Sequence, residues 1–209
     1  MTFSSLDRRS VLKHVVTATG LMMMAVAPAS AQSSPAAIGT VEEIRGDVQA
    51  EREGKRRALD HRGEIFAGDM LMTGDAALLV LKLGAATTIK LGAQARLKVE
   101  RYLADAGGVF DMQAGHMMFE RKGKPATEGI TFRGAYGLMA VRGTRFYAGP
   151  NRGAFALLVG EGRVEVTAGG RSVMVRPQEG IDIKVAGQAP TTPTTWQLPR
   201  IREMQANFR

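Results

Sequence analysis

Short strand patterns separated by glycine run through most of this 209-residue chain and restrict its fold more than any other feature. The chain holds 25 glycines, far above the usual ~7% share. Between Ile38 and Val185, apolar residues alternate with polar ones, as in Arg163-Val-Glu-Val-Thr167, where both valines face one side. Helical periodicity is scarce there, and turn residues return about every 8–12 positions. The pattern predicts an all-β fold of the sandwich, barrel or solenoid type.

A glycine spacing of eight residues occurs three times and predicts repeated β-hairpins. The pairs are Gly46/Gly54, Gly115/Gly123 and Gly162/Gly170. In each unit the second glycine stands beside a basic residue at the predicted hairpin tip, where a tight turn needs a positive φ. The three units predict stacked β-hairpins, solenoid-like or sandwich-like, and the alternative is chance spacing in a glycine-rich chain.

Residues 1–31 have the three parts of a cleaved export signal: a basic start, an apolar run and a small-residue cleavage site. The apolar run, Val15–Pro28, is 14 residues long, shorter than the ~20 that a membrane-spanning helix needs. We expect cleavage between Ala31 and Gln32, which leaves 32–37 as a short linker.

The paired arginines Arg8 and Arg9 resemble the twin-arginine export motif, with Lys13 closing it. The modest hydrophobicity of Thr17–Gly20 favours this route, and an ordinary Sec signal is the alternative. Both routes predict a periplasmic protein without a stable membrane span after cleavage.

Composition excludes several chemistries. The chain has no cysteine, which removes disulfides, thiolate catalysis, zinc ribbons and iron–sulfur clusters. Its net charge of +8 is scattered among both signs, so no stripe suited to nucleic acid appears. The two basic clusters, Lys55–Arg57 and Arg121–Lys124, lie in predicted turns. A weak attraction to anionic lipid, wall polymer or an acidic partner remains open.

The search for catalytic and metal-binding motifs yields no candidate. His61 lies near Asp60, Glu64 and Asp69, but no second histidine stands at ligand spacing, so a surface turn is favoured. His116 is interpreted as a surface strand residue. No hydrolase, metalloprotease or phosphate-loop motif is present. We therefore expect no catalytic, metal or cofactor site, and no enzyme activity.

The C-terminal residues 189–209 are predicted to form a linker and a short helix. Ala189–Thr195 is rich in proline and threonine, which is typical of an extended mobile linker. Ile201–Phe208 predicts an amphipathic helix with Ile201, Met204, Gln205 and Phe208 on one face. The β domain is then expected to span 38–188.

Three segments resemble the signature of the FecR domain, a bacterial periplasmic β module. They are Ala140–Phe146, Gly160–Val166 and Arg176–Gly180, supported in the N-terminal half by Gly39–Val48, Ala67–Gly74 and Thr87–Gly92. The resemblance covers Ile38 to Val185 and implies an all-β fold without catalytic chemistry. Only 14 residues precede the apolar run and 24 follow Val185. The resemblance therefore implies the stand-alone secreted version of the module, without sigma-factor-binding or receptor-facing domains.

The signature residues have two interpretations. They are Val141, Arg142, Gly143, Thr144, Gly162 and Val164. In the functional one, Arg142 and Arg145 point at an anionic partner. In the structural one, which we favour, Gly143 lets a backbone pass closely, Thr144 bonds a neighbouring strand end and Arg142 binds a buried carboxylate.

Three classes of function remain compatible with the sequence. The favoured one is a noncatalytic periplasmic protein-interaction module in envelope signalling, whose partner is a membrane sensor or receptor ectodomain. The second is an envelope protein that binds cell-wall glycan or polysaccharide. The third, a hydrolase with a spatially assembled carboxylate site, is held in reserve.

Overall fold

The structure is a computed structural model that describes residues 36–209, and its secondary structure is mostly β, as predicted. The elements are β1 (Ala37–Arg45), β2 (Val48–Arg52), β3 (Lys55–Ala58), β4 (Glu64–Phe66), β5 (Met70–Thr73), β6 (Leu78–Leu83), β7 (Thr87–Leu91), β8 (Arg96–Leu103), β9 (Gly107–Ala114), β10 (Met117–Arg121), β11 (Gly129–Gly134), β12 (Gly137–Asn151), β13 (Ala154–Ala168), β14 (Arg171–Val175), β15 (Glu179–Ile183), β16 (Thr194–Thr195) and α1 (Leu198–Ala206). The predicted export motif at Arg8 and Arg9 and the predicted cleavage site at Ala31 and Gln32 lie outside the described residues. None of the helices in the described part has the length and apolar character required to cross a membrane.

The strands form one continuous hydrogen-bonded sheet that curls into two facing layers. The first layer runs β3-β2-β5-β8-β9-β11 and the second runs β4-β1-β6-β7-β10. Strand β12 is hydrogen-bonded to both β11 and β10 and so joins the layers. Along the sequence the chain passes back and forth between the layers, since β10 lies in the second layer and its neighbours β9 and β11 in the first. The architecture therefore combines a sandwich with a solenoid-like path.

The joint between the layers is the hairpin β12–β13, whose two strands are 15 residues long each. Its tip is a two-residue turn at Arg152 and Gly153, both with positive φ (53° and 78°), which matches the twist of a hairpin. Near the tip, β13 also pairs with β15, and farther from the tip it pairs with β14. Each long strand therefore belongs to both layers.

Aromatic contacts show where the two layers meet. Phe132 on β11 stacks on Phe110 of the same layer at 4.8 Å between ring centroids. It also meets Phe119 and Phe146 of the other layer edge-on, at 5.2 and 5.4 Å. All four rings are fully buried, so the alternating apolar residues of both layers fill one common core.

Two of the three predicted hairpin units form, and the middle one does not. The pairs β2–β3 and β13–β14 are hairpins with Gly54 and Gly170 at their turns. The segment after Gly115 is β10, which pairs with β7 and β12 instead of returning after Gly123. The pairing of β10 with strands from other parts of the chain overrides the local tendency to turn back at Gly123. All six glycines of the repeat nevertheless have a positive φ, between 72° and 85°.

The C-terminal segment differs from a mobile linker because it is bound to the second layer. Thr194–Thr195 is strand β16, paired with β15, and the Trp196 ring packs against Gly180. Helix α1 starts at Leu198, three residues before the predicted start, with Pro199 in its first turn, where proline is tolerated. Met204 and Phe208 are buried, as expected for the inner face.

Candidate interaction surface

The family-signature residues of β12 and β13 form the corner where the long hairpin changes layers. Arg142 pairs with Arg163 and Arg145 with Glu161, so Gly143 and Thr144 together oppose the single residue Gly162. Such a β-bulge bends the strand and increases its twist. On one side of the bulge the hairpin pairs with β11 and β14, and on the other with β10 and β15.

Glycine is required at this corner because two backbones approach closely. Gly143 and Gly162 have φ values of 53° and 73°. A Cβ on Gly162 would overlap the carbonyl group of Gly143 and lie 2.8 Å from Thr144 Cγ2. Val141 and Val164 stand opposite each other beside the bulge and are buried in the core. These four residues therefore shape the corner.

Arg142 and Thr144 do not make the contacts that the structural interpretation expects. The Arg142 side chain is exposed and bonds no carboxylate within residues 36–209. The Thr144 hydroxyl is buried, with no hydrogen-bond partner in the same range. Arg145, the other candidate for an anionic partner, contacts Glu161 at 2.8 Å and Glu120 at 3.5 Å. Arg145 is thus neutralised within the fold, and Arg142 is not.

Three exposed arginines lie side by side on the outer face of the first layer, and we call them the arginine row. Arg142 on β12 is directly opposite Arg163 on β13. Val164 is opposite Val175, so the same register places Arg176 beside Arg163. Because neighbouring residues of a strand point to opposite faces, the buried valines put all three arginines outside.

No carboxylate among residues 36–209 forms an ion pair with the arginine row, although the Glu179 carboxylate accepts a hydrogen bond from the Arg176 backbone amide at 2.8 Å. None of its three side chains forms an ion pair or a side-chain hydrogen bond with any residue in the 36–209 range. Like charges directly opposite each other on adjacent strands destabilise a sheet. The fold therefore bears an electrostatic cost here that an anionic ligand would remove.

The surface around the row is concave and chemically mixed. A concavity of about 590 Å³ is lined by the three arginines together with Ala140, Glu165 and Met174. A second one, of about 420 Å³, adjoins it along Arg142 and Arg163 and reaches Pro125. Met174 is 37% exposed, and Glu165 lies directly opposite it. The surface thus offers cationic, apolar and anionic groups in a fixed order.

Sequence reasoning identifies one member of the row, Arg142, and misses Arg163 and Arg176. Both missed residues lie in strands that alternation predicts, Arg163–Thr167 and Ser172–Arg176. Counting outward from the Gly169-Gly170 turn would have placed the two opposite each other. Their alignment with Arg142 depends on the register of the long hairpin through its bulge, which has no local sequence signal.

The histidines and carboxylates that were considered for a metal site do not converge. Among residues 36–209, no three His, Asp or Glu side chains lie close enough together to hold a metal ion. His61 is exposed in a turn, and His116 contacts the Pro150 carbonyl oxygen at 2.7 Å through Nε2. Asp69 is fully buried and accepts hydrogen bonds from both terminal nitrogens of Arg57, at 3.0 and 2.6 Å.

Solved structures with a similar fold come from Parabacteroides distasonis ATCC 8503. Two crystal structures of candidate anti-sigma factors superimpose with TM-scores of 0.54 and 0.52, at 14% and 16% sequence identity. Each superposition covers 64% of this chain and 62% of the other chain. At this identity the likeness concerns the fold. No curated protein matches this chain in sequence.

The family comparison covers the part of the chain that contains the signature residues. Residues 69–165 match the family model described as FecR protein. This range contains the corner at Gly143 and Gly162 and two arginines of the row, and Arg176 follows eleven residues after its end. Residues 69–165 are therefore similar to the FecR domain, in line with the resemblance seen in the sequence.

Proposed function

We propose that this chain is a noncatalytic periplasmic protein-interaction module that takes part in envelope signalling or regulation and docks an acidic partner on the arginine row. The observation that carries the proposal is the row itself: three exposed arginines, aligned across three strands, without an ion-pair partner among residues 36–209. A surface that is costly for folding and fixed in geometry is typical of a binding site.

Family and fold support the regulatory part of the proposal. The FecR match and the fold shared with candidate anti-sigma factors belong to regulatory proteins. The export-signal pattern of residues 1–31 supports the periplasmic part, where a membrane sensor or receptor ectodomain is the expected partner. An acidic partner would associate faster at low salt because the row attracts it over a distance of about one Debye length.

Crosslinking in intact cells tests the partner. A tagged copy of the full chain is crosslinked, and the proteins that copurify with it are identified. The triple variant Arg142→Gln, Arg163→Gln, Arg176→Gln is expected to lose the partner. The matched control removes the same charge from exposed arginines away from the row, Arg62→Gln, Arg96→Gln and Arg202→Gln, and is expected to keep it. Equal recovery with both variants would refute the docking surface.

Fractionation tests the compartment. We expect the protein in the periplasmic fraction, and we expect Arg8→Lys with Arg9→Lys to retain it in the cytoplasm if the twin-arginine route is used. Export that survives this change would assign the signal to the Sec route. A wild-type protein found only in the cytoplasm would refute periplasmic location.

The second candidate function is binding of an anionic cell-wall polymer, which the same row of unpaired arginines would attract. This function predicts that the purified protein sediments with cell wall and is released by salt. Glu165 beside the row weighs against it, since a uniform polyanion would meet a negative charge there. Sedimentation that depends on the row, without a crosslinked protein, would favour this function.

A further inference from the structure

The curled sheet has four ends, at β3, β4, β14 and the pair β15–β16. At one side, strands β3 and β4 end the first and second layers. Arg57 of β3 donates a hydrogen bond to the backbone oxygen of Glu64 on β4 at 2.9 Å and also binds Asp69. These two ends are thereby tied together, and β3 carries the charged residues Lys55–Arg57, which discourage pairing with another chain.

At the other side, the sheet divides beyond β13 into β15 and β14. The edge of β15 is covered, because Thr194–Thr195 pairs with it as β16. In contrast, β14 pairs only with β13 within residues 36–209. Its first residue, Arg171, contacts Pro190 and Thr192 of the C-terminal segment through its side chain. The rest of β14 keeps an open edge.

The open edge has few of the features that normally prevent strand pairing, because its charges and its proline, Arg171, Arg176 and Pro177, lie at its two ends. Residues Ser172–Val175 contain no proline and no charge, and β14 has five residues, an ordinary strand length. Val173 and Val175 are buried toward the core, while Ser172 and Met174 are exposed. An edge of this kind presents unpaired backbone N–H and C=O groups to an extended chain.

The arginine row ends at this edge. Arg176 directly follows β14, and its exposed neighbours on the same face are Met174 and Ser172. A strand added to β14 would therefore place one residue beside Arg176, the next but one beside Met174, and a third beside Ser172. An acidic residue would complement the first position, an apolar residue the second and a small polar residue the third.

We infer that β14 accepts an extended acidic segment of a protein partner as an additional strand, with a carboxylate on Arg176 and an apolar side chain on Met174. This inference rests on the proposed function and specifies how the partner binds. A protein segment fits better than a polysaccharide, because only a polypeptide supplies the backbone donors and acceptors of a β-ladder. Glu165, opposite Met174, favours an apolar residue over a second acid there.

Peptide selection tests the inference. Random heptapeptides displayed on phage are selected on the purified full chain, and the most enriched peptide is synthesised as the probe. We expect an Asp or Glu two positions from an apolar residue. Bound peptide is expected to slow hydrogen exchange of the outward-facing amides of residues 172–175 by at least about tenfold, because they become hydrogen-bonded; the Arg176 amide already donates to the Glu179 carboxylate at 2.8 Å and is left out.

Two controls separate the backbone from the side chains. The same peptide with alternate amides N-methylated keeps its side chains but loses its donors, and we expect it to bind at least about tenfold more weakly. Arg176→Gln is expected to weaken binding of the acidic peptide by about tenfold, whereas Arg62→Gln has no effect. These variants lie outside the core, so both are expected to fold.

Three results would overturn the inference: no enriched peptide, a bound peptide that leaves exchange in β14 unchanged, or binding that tolerates N-methylation. If the crosslinked partner still depends on the arginine row in any of these cases, the proposed function stands and the partner docks by side chains alone. If no row-dependent partner is found either, the proposed function fails as well.

Discussion

Gly162 and Gly170 have nearly the same φ, 73° and 75°, but very different surroundings. A Cβ on Gly170 would meet no atom within 4 Å, whereas one on Gly162 would overlap the Gly143 carbonyl group. Gly170→Ala is expected to cost about 1–2 kcal/mol, the effect of a left-handed backbone alone. Gly162→Ala should cost roughly 1–3 kcal/mol more, from overpacking. Urea unfolding measures both, and equal losses would contradict the close approach at the corner.

Thr144 is a buried residue whose hydroxyl has no partner within the described residues, at 2% exposure. Replacing an unsatisfied buried hydroxyl by an apolar group of the same shape removes its desolvation penalty. We expect Thr144→Val to raise the free energy of unfolding by about 1 kcal/mol.

Thr73 supplies the matched control for this prediction. Its buried hydroxyl donates to the Gly92 carbonyl at 2.6 Å and accepts from the Ala95 amide at 2.8 Å. Thr73→Val should therefore lower the free energy of unfolding by about 1–3 kcal/mol, since the Ala95 amide loses its partner. If both substitutions changed the free energy of unfolding in the same direction, the predicted difference between the two hydroxyls would be wrong.

At the scale of elements, the bond between β3 and β4 depends on one buried carboxylate. Asp69 is fully buried and also accepts the Phe66 amide at 2.9 Å, while the Arg57 side chain is 34% exposed. Asp69→Ala is expected to lower the free energy of unfolding by about 2–3 kcal/mol, because charged hydrogen bonds are lost and the amide is left unpaired.

The neighbouring pair on the same hairpin provides the comparison. Arg56 contacts Glu51 at 2.6 Å, but its side chain is 65% exposed. Arg56→Ala should cost less than about 1 kcal/mol, as solvent screens the pair. Thermal or urea unfolding of both variants decides whether burial, and not merely ion pairing, holds this end of the sheet.

Helix α1 is attached to the tip of the long hairpin by charge. Arg152 donates two hydrogen bonds to Glu203, at 2.8 and 2.6 Å, and they hold the pKa of the Glu203 carboxyl below its ordinary value of 4.5. Because the pKa of Glu203 is lower in the folded protein, its ion pair with Arg152 stabilises the docked helix above pH 4.5. That contribution disappears as the pH falls through the folded-state value.

Trp196 reports this docking, since it is the only tryptophan in the chain and lies buried beside the helix. We expect an acid-induced change in its fluorescence with a midpoint below pH 4.5, and a weaker change at this pH in Glu203→Gln. Arg202→Gln, exposed on the same helix, serves as the control. An unaltered acid transition in Glu203→Gln would show that the ion pair does not hold the helix.

The strands can be predicted from sequence because alternation and turn glycines act locally. Pairing between distant strands cannot, which is why the sequence wrongly predicts a hairpin for the unit after Gly115. The C-terminal segment is likewise predicted to be mobile, because nothing local shows that Trp196 will find the flat surface at Gly180. The arginine row cannot be predicted from local sequence either, since its three arginines lie side by side only once three strands are in register.

At the scale of the whole molecule, the two layers share one core and are expected to unfold together. Phe132 contacts rings of both layers, so Phe132→Leu should cost roughly 1–2 kcal/mol from lost volume. Hydrogen exchange is expected to accelerate by the same factor in β8 of the first layer and β7 of the second. Acceleration confined to one layer would mean that the layers open independently.

The long hairpin also determines when the protein can be completed during its synthesis. Strands β10 and β11 are neighbours in sequence, yet the second edge of each is paired only when β12 has been synthesised. Until residues 137–148 leave the ribosome, the nascent chain consists of two growing sheets, each with an unpaired edge. The stretch that closes both begins about two thirds of the way along the chain. The unfinished polypeptide is therefore most prone to aggregation late in translation, when a chaperone would protect it most effectively.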